Sequence, residues 1–443
     1  MQKQQSIILV AIRNVAFALE YDIQPGTKCE KYEVGMRVEV PYRNKKVVGV
    51  VVQTNVQAQV CATKRKAVIS KIDSSSLLRS STKAFLQAVQ QYYVASMAQI
   101  IHNSFCKKAL NQDGLHSVWT KSYTLNQEVL VNHVVRAPVK KLLTWAGKRQ
   151  QFSVAEAIRA KFKEEVIHES ECAGYLKISS EYSKKTSVST TSSFAPSEAQ
   201  QAVIQSISEN KQGYNYHYLH GVTGSGKTAI YTTVCQAWLA EGGQVLWLVP
   251  EIGLTPQLLQ AVYKCCHEDE VACYHSGLSE RERYFTWLDT TCGRAKVVIG
   301  TRSSVFLPFA NLRGIIIDEE HDASYKQQNA MRYSTRGVAC MRAKAENIPI
   351  LLGSATPSLA CLYRKKRNEA THYTLMKRFG GVELPNILFT DMQKKVSAVG
   401  LSHSLMAPIT ETLNSGKQVL IFLNRRGYAP CWWCQSCSSI QKC

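Results

Sequence analysis

The sequence predicts a multidomain α/β protein organised around a P-loop lobe, a parallel sheet with helices on both faces. Three observations carry that expectation. Gly221-Val222-Thr223-Gly224-Ser225-Gly226-Lys227-Thr228 has the spacing Gly-x-x-x-x-Gly-Lys-Thr, in which the glycines let the backbone turn tightly and aim its N–H groups at a polyphosphate. Around it, helix-period segments alternate with short, continuously apolar runs at 244–249, 296–300, 314–318 and 349–353. Such strands are buried on both faces and mark a parallel sheet covered by helices. Finally, Ile315-Ile316-Ile317-Asp318-Glu319-Glu320-His321 places carboxylates just past the C-terminal end of one run, where ligands collect in open α/β sheets.

Taken from the N-terminus, residues 1 to about 75 read as short strands. Residues 6–12 are apolar, Met36-Arg37-Val38-Glu39-Val40 alternates with period two, and a polar turn at 42–46 leads into an apolar run at 47–52, together a hairpin in a small β module. Residues 82–97 carry a helical pattern through Phe85, Leu86, Val89, Tyr92, Tyr93 and Met97. Residues 110–182 suggest a compact unit: an amphipathic piece at 139–145, a helix from Ser153 as N-cap to about Phe162 with Glu156 completing a capping box, then a short helix at Val166-Ile167 and a strand at 175–178. That order fits a winged-helix domain, and a plain helical spacer fits nearly as well. Residues 183–193 are almost all Ser, Thr and Lys and read as an exposed linker. The P-loop lobe spans 194–375. A last apolar run at 418–423, after another linker, predicts the first strand of a second lobe within 376–443.

The 443 residues suffice for several domains with real cores. Lys and Arg number 54 against 33 Asp and Glu, and residues 1–196 carry 28 basic and 14 acidic side chains, so the front half is expected to meet a polyanion, most commonly nucleic acid. The apolar opening at 7–12 ends at Arg13, far short of a membrane span or a secretory signal. A cytoplasmic protein without a membrane partner is therefore expected. Most of the fifteen cysteines are scattered singly through apolar segments and read as small buried side chains.

In the P-loop reading, ATP is wrapped by the backbone of Gly221, Val222, Thr223, Gly224, Ser225 and Gly226, Lys227 sits on the β- and γ-phosphates, and Thr228 offers its hydroxyl to Mg²⁺. Asp318 would hold the same Mg²⁺ largely through water, and Glu319 would polarise the attacking water. With His321 beside them, Lys227, Asp318 and Glu319 form the candidate catalytic set. Gly353-Ser354-Ala355-Thr356-Pro357 closes another apolar strand with small hydroxylated residues, and Thr356 is the candidate for coupling the γ-phosphate to a nucleic-acid groove.

In this order the three motifs resemble superfamily 2 helicases, whose lobe is RecA-like. The resemblance narrows with Val249-Pro250-Glu251-Ile252-Gly253-Leu254-Thr255-Pro256-Gln257, His275-Ser276-Gly277-Leu278-Ser279, Val298-Ile299-Gly300-Thr301-Arg302-Ser303, the run from Asp318 to Tyr325 continuing as Lys326-Gln327-Gln328, and Phe422-Leu423-Asn424-Arg425-Arg426-Gly427. These resemble the PriA family of bacterial primosomal replication-restart helicases, collinearly from about residue 197 to 443 and more loosely before that.

What the resemblance implies is a 3′ to 5′ DNA helicase that recognises stalled forks, works with primosome proteins and single-strand-binding protein, and lies in the bacterial cytoplasm with the nucleoid. It makes residues 1–105 a 3′-end DNA-binding domain, with Glu20 in Leu19-Glu20-Tyr21 where the family has an Asp. It makes Thr301 and Arg302 strand contacts, and Asn329-Ala330-Met331-Arg332-Tyr333 an aromatic-rich DNA-coupling loop, with Arg332 and Tyr333 as candidate contacts and Met331 where a Trp usually stands. The family's adenine-reading Gln falls on Ala199, with Gln200 next along. It also implies a zinc-ribbon insertion, for which Cys434, Cys437 and Cys443 would supply part of two Zn²⁺ sites, Cys431 lying outside the pattern.

The chain contains no Gln-x-x-Gly-Arg-x-Gly-Arg sequence, whose arginines stabilise transition-state charge and are worth about a thousandfold or more in turnover. The expectation is that this polypeptide, ending within the second lobe and its partial zinc ribbon, binds Mg-ATP and DNA but alone hydrolyses and unwinds poorly. Two rival readings stay open: a fork-binding scaffold without unwinding, and a different superfamily 2 translocase.

Overall fold

The computed structural model describes residues 7–23, 31–73, 75–110, 122–126, 136–148, 152–153, 157, 162, 166–167, 169–170, 173, 175–179, 195–250, 256–329, 331–378, 386–389, 401–422, 431–433 and 440–442. The chain divides into a unit of Met1–Gly381 and a smaller one of Val382–Cys443.

Six N-terminal strands, β1 (Ile7–Ile12), β2 (Leu19–Asp22), β3 (Arg37–Tyr42), β4 (Lys45–Thr54), β5 (Lys66–Ala67) and β6 (Ser70–Lys71), form one sheet in the order β5-β2-β1-β4-β3-β6. The expected hairpin is β3–β4, with Tyr42 opposite Lys45. Only Arg43 and Asn44 lie between, both at positive φ (44° and 60°), which is the two-residue turn whose twist matches its strands. One face of this sheet packs Ile8, Val10, Val38, Val40 and Val51 together. The buried Arg37–Asp73 pair, 2.7 Å apart, ties β3 to the segment after β6, and Arg37 also donates to the Ala109 carbonyl at 2.8 Å. Asp73→Ala leaves that guanidinium unpaired in the interior, so denaturant unfolding should show a loss of about 3–5 kcal/mol.

The helical pattern at 82–97 is two helices rather than one, α1 (Ser80–Tyr93) and α2 (Met97–Ser104). The break falls at Val94, in the left-handed conformation (φ 49°), and Ser96 restarts the chain with a capping box through Gln99; a local cap prevailed over the continuous apolar period.

Farther along, β7 (Ser122–Leu125), β8 (Phe152–Ser153) and β9 (Leu176–Ser179) pair in the order β8-β7-β9 beside α3 (Ala137–Gly147). Val139, Leu142, Leu143 and Ala146 of that helix join Tyr123, Phe152 and Leu176 in one core. Ser153, expected as an N-cap, is in a strand opposite Ser122; Ala157 is helical, while Glu156 and most of the helix expected to follow lie outside the described residues. The linker at 183–193 does so too.

The main sheet is parallel throughout, in the order β12-β13-β11-β14-β15-β10-β16. Its strands are β10 (Tyr216–Gly221), β11 (Gln244–Leu248), β12 (Val271–Tyr274), β13 (Val297–Gly300), β14 (Leu312–Ile317), β15 (Ile350–Ser354) and β16 (Thr371–Leu375). The helices are α4 (Glu198–Glu209), α5 (Lys227–Ala240), α6 (Pro256–Val262), α7 (Glu280–Thr291), α8 (Thr335–Glu346) and α9 (Leu359–Lys366). Because strand side chains alternate, Leu219, Trp247, Ile299, Ile316 and Leu351 face one cluster with α4, α5 and α6. Tyr218, Leu246, Val298, Ile315, Ile317 and Leu352 face the other. This is the RecA-like α/β lobe expected of the P-loop region, beside a β-rich N-terminal domain.

The second face is not covered by the lobe's own helices alone. Phe85, Leu86 and Val89 of α1 and Ile100 and Ile101 of α2 belong to the same core cluster as α7 and α8. Phe85 packs on Phe306 with ring centroids 6.0 Å apart, the Trp287 indole donates to the Ser104 carbonyl at 2.7 Å, and the Tyr93 hydroxyl accepts from Ser334 N at 3.2 Å. The N-terminal domain is thus joined to the lobe through buried aromatic contacts.

In the smaller unit, α10 (His403–Asn414) and the antiparallel pair β17 (Cys431–Trp433) and β18 (Ile440–Lys442) are described. The strand expected at 418–423 is not formed over the described part: residues 417–422 have no regular structure, and Leu420 and Phe422 are 95% and 82% exposed. An apolar strand needs neighbours to pair with, and none pairs with this run among the described residues. Among those residues, too, no helix is long and apolar enough to cross a membrane.

Candidate nucleotide site and strand-binding face

Because the sheet is parallel, the C-terminal ends of β10, β13, β14 and β15 lie along one edge, where the phosphate loop follows β10 and the acidic run at 318–321 follows β14. Gly221 ends β10. The loop then turns at Gly224 (φ 80°) and Gly226 (φ 85°), the latter being the N-cap of α5, so the helix begins at Lys227 with its free N–H groups toward the loop. A Cβ on Gly226 would also lie 2.5 Å from Gln200 Nε2.

Gln200 is a residue to which the motifs assign no role. Its amide does two jobs: Oε1 accepts from Ser197 N at 2.9 Å to close the α4 capping box, and Nε2 donates to the Ser225 carbonyl at 2.8 Å. The side chain is 3% exposed. It is therefore a strut beneath the phosphate loop. The Ser-x-x-Gln spacing at 197–200 was the available signal, since it predicts the cap.

Lys227 Nζ donates to the Gly221 carbonyl at 2.9 Å and lies 3.9 Å from Glu319 Oε1. The phosphate loop and the acidic strand end therefore share one crevice. Thr228 is exposed, and Ser225 Oγ is buried without a partner among the described residues. This is a donor set suited to a polyphosphate: a buried lysine, a buried hydroxyl and backbone N–H groups at a helix start.

Asp318 follows β14, its N–H still bonded to the Leu248 carbonyl at 3.0 Å, and its Oδ1 accepts from Glu319 N at 2.9 Å. Burial, then the neighbouring Glu319 carboxylate, push Asp318 up to about 6, while Lys227 and the Tyr231 hydroxyl pull the other way. Glu319 itself is held at φ 43°, a conformation that costs a non-glycine residue energy and is found where a site requires it. His321 Nδ1 is 2.7 Å from Ser354 Oγ and 3.5 Å from Glu319 Oε2. Ser354 Oγ in turn accepts from Thr356 N at 2.9 Å. The acidic strand end and the 353–357 segment are thus wired together through one imidazole and one hydroxyl, and Ser354 is the member that motif reading passed over.

The raised Asp318 pKa sets a pH dependence. Only the deprotonated carboxylate is a cation ligand, so Mg²⁺-dependent nucleotide affinity should fall as pH drops through about 6, by up to about tenfold per pH unit, and level off above. Stability moves in the opposite sense. A folded-state pKa above the unfolded value means the native state binds the proton more tightly, so this group's contribution is present below about 4 and is lost as pH rises through about 6. Titrating a fluorescent ATP analogue at a series of pH values checks the first, and unfolding without nucleotide checks the second.

Thr301 follows β13, its N–H bonded to the Tyr274 carbonyl at 3.1 Å, and Arg302 NH1 donates to the Ser324 carbonyl at 3.4 Å. Tyr333 is buried with its ring edge-on to Phe306 at 5.1 Å, Met331 is 7% exposed, and Arg332 between them is exposed. Met331 therefore fills core space here. Thr301, Arg302, Met331 and Tyr333 line one cavity of about 420 Å³. Glu20 is on β2 of the N-terminal sheet, where its two carboxylate oxygens accept from Gln59 N at 2.9 Å and Val60 N at 3.1 Å.

The cysteines Cys434, Cys437 and Cys443, the segment 251–255 and residues 423–430 lie outside the described residues. Among the described residues no cluster of His, Cys, Asp and Glu could hold a metal ion by itself. A cation at Asp318 would need the nucleotide and water as further ligands.

A family model described as DEAD/DEAH box helicase matches residues 197–362, and one described as a 3′DNA-binding domain (3′BD) matches residues 7–105. Replication restart protein PriA of Haemophilus influenzae is 33% identical over 425 residues, covering 93% of this chain and 58% of the relative. The chain is homologous to bacterial replication restart protein PriA. The PriA of Synechocystis sp. is 43% identical over 240 residues, 52% of this chain and 29% of that protein, and the PriA of Bacillus subtilis is 38% identical over 249 residues, 55% and 31%. This chain therefore spans about 58% of the first PriA relative and smaller shares of the other two. The two family models meet the fold on either side of the α1–α8 contact, one on the β-rich domain and the other on the parallel sheet.

Proposed function

We propose that this chain is the DNA-binding and ATP-binding portion of a 3′ to 5′ superfamily 2 DNA helicase that acts at stalled replication forks and initiates primosome assembly. The observation that carries the reading is the crevice in which Lys227 Nζ and Glu319 Oε1 lie 3.9 Å apart, on the same sheet edge as Thr301 and Arg302.

In this reading Lys227 leaves the Gly221 carbonyl for the β- and γ-phosphates, and the backbone of 221–226 wraps them. Thr228 and, largely through water, Asp318 would hold Mg²⁺, which when bound would neutralise charge on the phosphate oxygens. Glu319 takes a proton from the attacking water. His321, through Ser354, passes the change at Glu319 to Thr356, and Thr301, Arg302, Arg332 and Tyr333 turn it into altered grip on a strand. Glu20 marks the region of 1–105 that meets a nascent 3′ end, residues 110–182 serve as a winged-helix domain, the lobe occupies 194–375, and 376–443 begins a second lobe. Single-strand-binding protein and primosome proteins are its partners, in the bacterial cytoplasm.

The test compares forks with and without a free 3′-OH at fixed salt, with and without nucleotide. The reading expects tighter binding to the free 3′ end, and a nucleotide-dependent change in strand affinity. A chain that binds both forks alike and ignores nucleotide is another kind of protein. The remaining part of the proposal makes Cys434 and Cys437 half of one Zn²⁺ site and Cys443 a quarter of a second; a structural zinc needs four ligands, so these three cysteines close neither site and metal analysis of the purified chain should find no stoichiometric zinc.

A further inference from the structure

The cavity beside Thr301 and Arg302 does not end at the lobe. A second cavity, of about 460 Å³, opens between the lobe and the N-terminal domain, and the two share Gln99, His102, Asn103, Arg283 and Ser303 in their walls. They are one continuous cleft. Helix α2 is its floor, the residues after β13 its far wall, and the turn at Arg13 and Asn14, between β1 and β2, its outer end.

We propose that this cleft is a second stretch of strand path, in which a single-stranded DNA backbone leaving Thr301–Arg302 runs over α2 and reaches Arg13 on the N-terminal domain. The inference rests on the DNA-binding reading above and adds to it a site built jointly by the two domains.

Charge argues for a polyanion. Arg283 donates through Nε and NH2 to the His275 carbonyl, both at 3.3 Å, with its guanidinium over the Tyr274 ring at 5.8 Å, so its charge is oriented but meets no carboxylate there. Arg13 is exposed and pairs with no carboxylate among the described residues. The one acid in the cleft wall, Glu280, pairs through Oε1 with Lys107 of the same wall at 3.0 Å, while its Oε2 is buried without a partner among the described residues. Three arginines, at 13, 283 and 302, therefore mark the length of the cleft.

The floor offers polar groups of the kind a strand uses. His102 Nε2 is buried without a partner among the described residues, and burial together with the nearby Arg13 holds its imidazole below the usual range, so it is neutral. Asn103, which lines both cavities, donates through Nδ2 to the Gln99 carbonyl at 3.2 Å. A concave cleft fits a stripped strand, whose backbone tracks a basic groove; a duplex would bridge across its mouth.

The arrangement also explains why the domains are so firmly joined. Trp287, Ser104, Tyr93 and Ser334 fasten α1 and α2 to the lobe beside the cleft, which keeps Arg13 and Arg302 at a fixed spacing along the strand.

The test uses the full chain and fluorescent oligo(dT) of two lengths, about 6 and about 14 nucleotides, within the span of single-strand sites, in variants Arg302→Ala, Arg13→Ala and Arg13→Glu. Arg13 is exposed, so its variants fold. Arg302→Ala should weaken both oligomers. Arg13→Ala should weaken only the longer one, by about threefold to tenfold, with a salt slope smaller by about 0.7 for one lost phosphate contact, and Arg13→Glu should weaken it further. If Arg302→Ala weakens binding while both Arg13 variants bind the two lengths as the parent does, the path does not reach the N-terminal domain and the inference falls, though the DNA reading stands. If the parent chain binds neither oligomer, the DNA reading itself falls.

Discussion

Lys227→Ala should lower nucleotide affinity by about a hundredfold or more while leaving fork affinity within about twofold. The size follows from the bond that is lost. A buried charge-assisted contact to a phosphate is worth about 3 kcal/mol, and 1.4 kcal/mol is a factor of ten. The selectivity follows from position: Lys227 sits in the crevice with Gly221 and Glu319, whereas the arginines facing the cleft at 13, 283 and 302 lie elsewhere along the sheet edge and on the N-terminal domain. Removing the lysine also takes away a positive charge that restrains the Asp318 pKa. The pH below which Mg²⁺-nucleotide binding weakens should therefore shift upward in whatever binding remains. Lys227→Arg keeps the charge but puts a bulkier planar guanidinium where a compact ammonium fits, and should fall between the two. Titration of a fluorescent nucleotide and anisotropy on a labelled fork give the two readouts. A parallel loss of both would mean that Lys227 supports the whole sheet edge and not the nucleotide alone.

Glu320→Ala should destabilise the Met1–Gly381 unit by about 3–5 kcal/mol. Its side chain is fully buried, and its carboxylate is the meeting point of three elements. Arg336 of α8 is 2.6 Å away, Ser358 at the start of α9 donates from its N–H at 2.8 Å and its hydroxyl at 2.9 Å, and Tyr218 of β10 donates at 3.2 Å. Burial alone would raise the pKa of this carboxyl, but the Ser358 N–H and the Arg336 guanidinium outweigh it and hold the group below the usual range. The sign for stability follows. A depressed folded-state pKa means the contribution is present above the unfolded value and is lost as pH falls through the folded one. The Glu320→Ala penalty should accordingly shrink in acid, which distinguishes it from a mere packing defect. Glu320→Gln, with the same shape, should cost less, since its amide oxygen can still accept from Ser358. Denaturant midpoints at neutral and acidic pH provide the measurement.

The neighbours Glu319 and Glu320 show where sequence reading stops. Both belong to one run of acids, and the motif assigns a chemical task to the first while saying nothing of the second. The difference arises from side-chain direction: Glu319, at positive φ, turns toward Lys227, while Glu320 turns inward to Arg336 and Ser358. Gln200 is a similar case, since the spacing predicts a cap at Ser197 but not that the same amide reaches across to Ser225. The strand expected at 418–423 failed for the converse reason, because apolar content can mark a strand without supplying the neighbours that would pair with it. The helix break at Val94 was hidden by an apolar period that runs on through it.

By itself the sequence determined the phosphate loop, the acidic strand end, the parallel lobe and the basic β-rich front, because each is written in local spacing: glycines at fixed offsets, apolar runs of strand length, carboxylates just after one of them. Tertiary structure alone decided that α1 and α2 complete the helix layer of the lobe and that Arg13 and Arg302 border one cleft. Those facts depend on contacts between residues some two hundred positions apart, such as Trp287 with Ser104 and Tyr93 with Ser334. No pattern along the chain records them, because an apolar face specifies that it must be covered and leaves open by what.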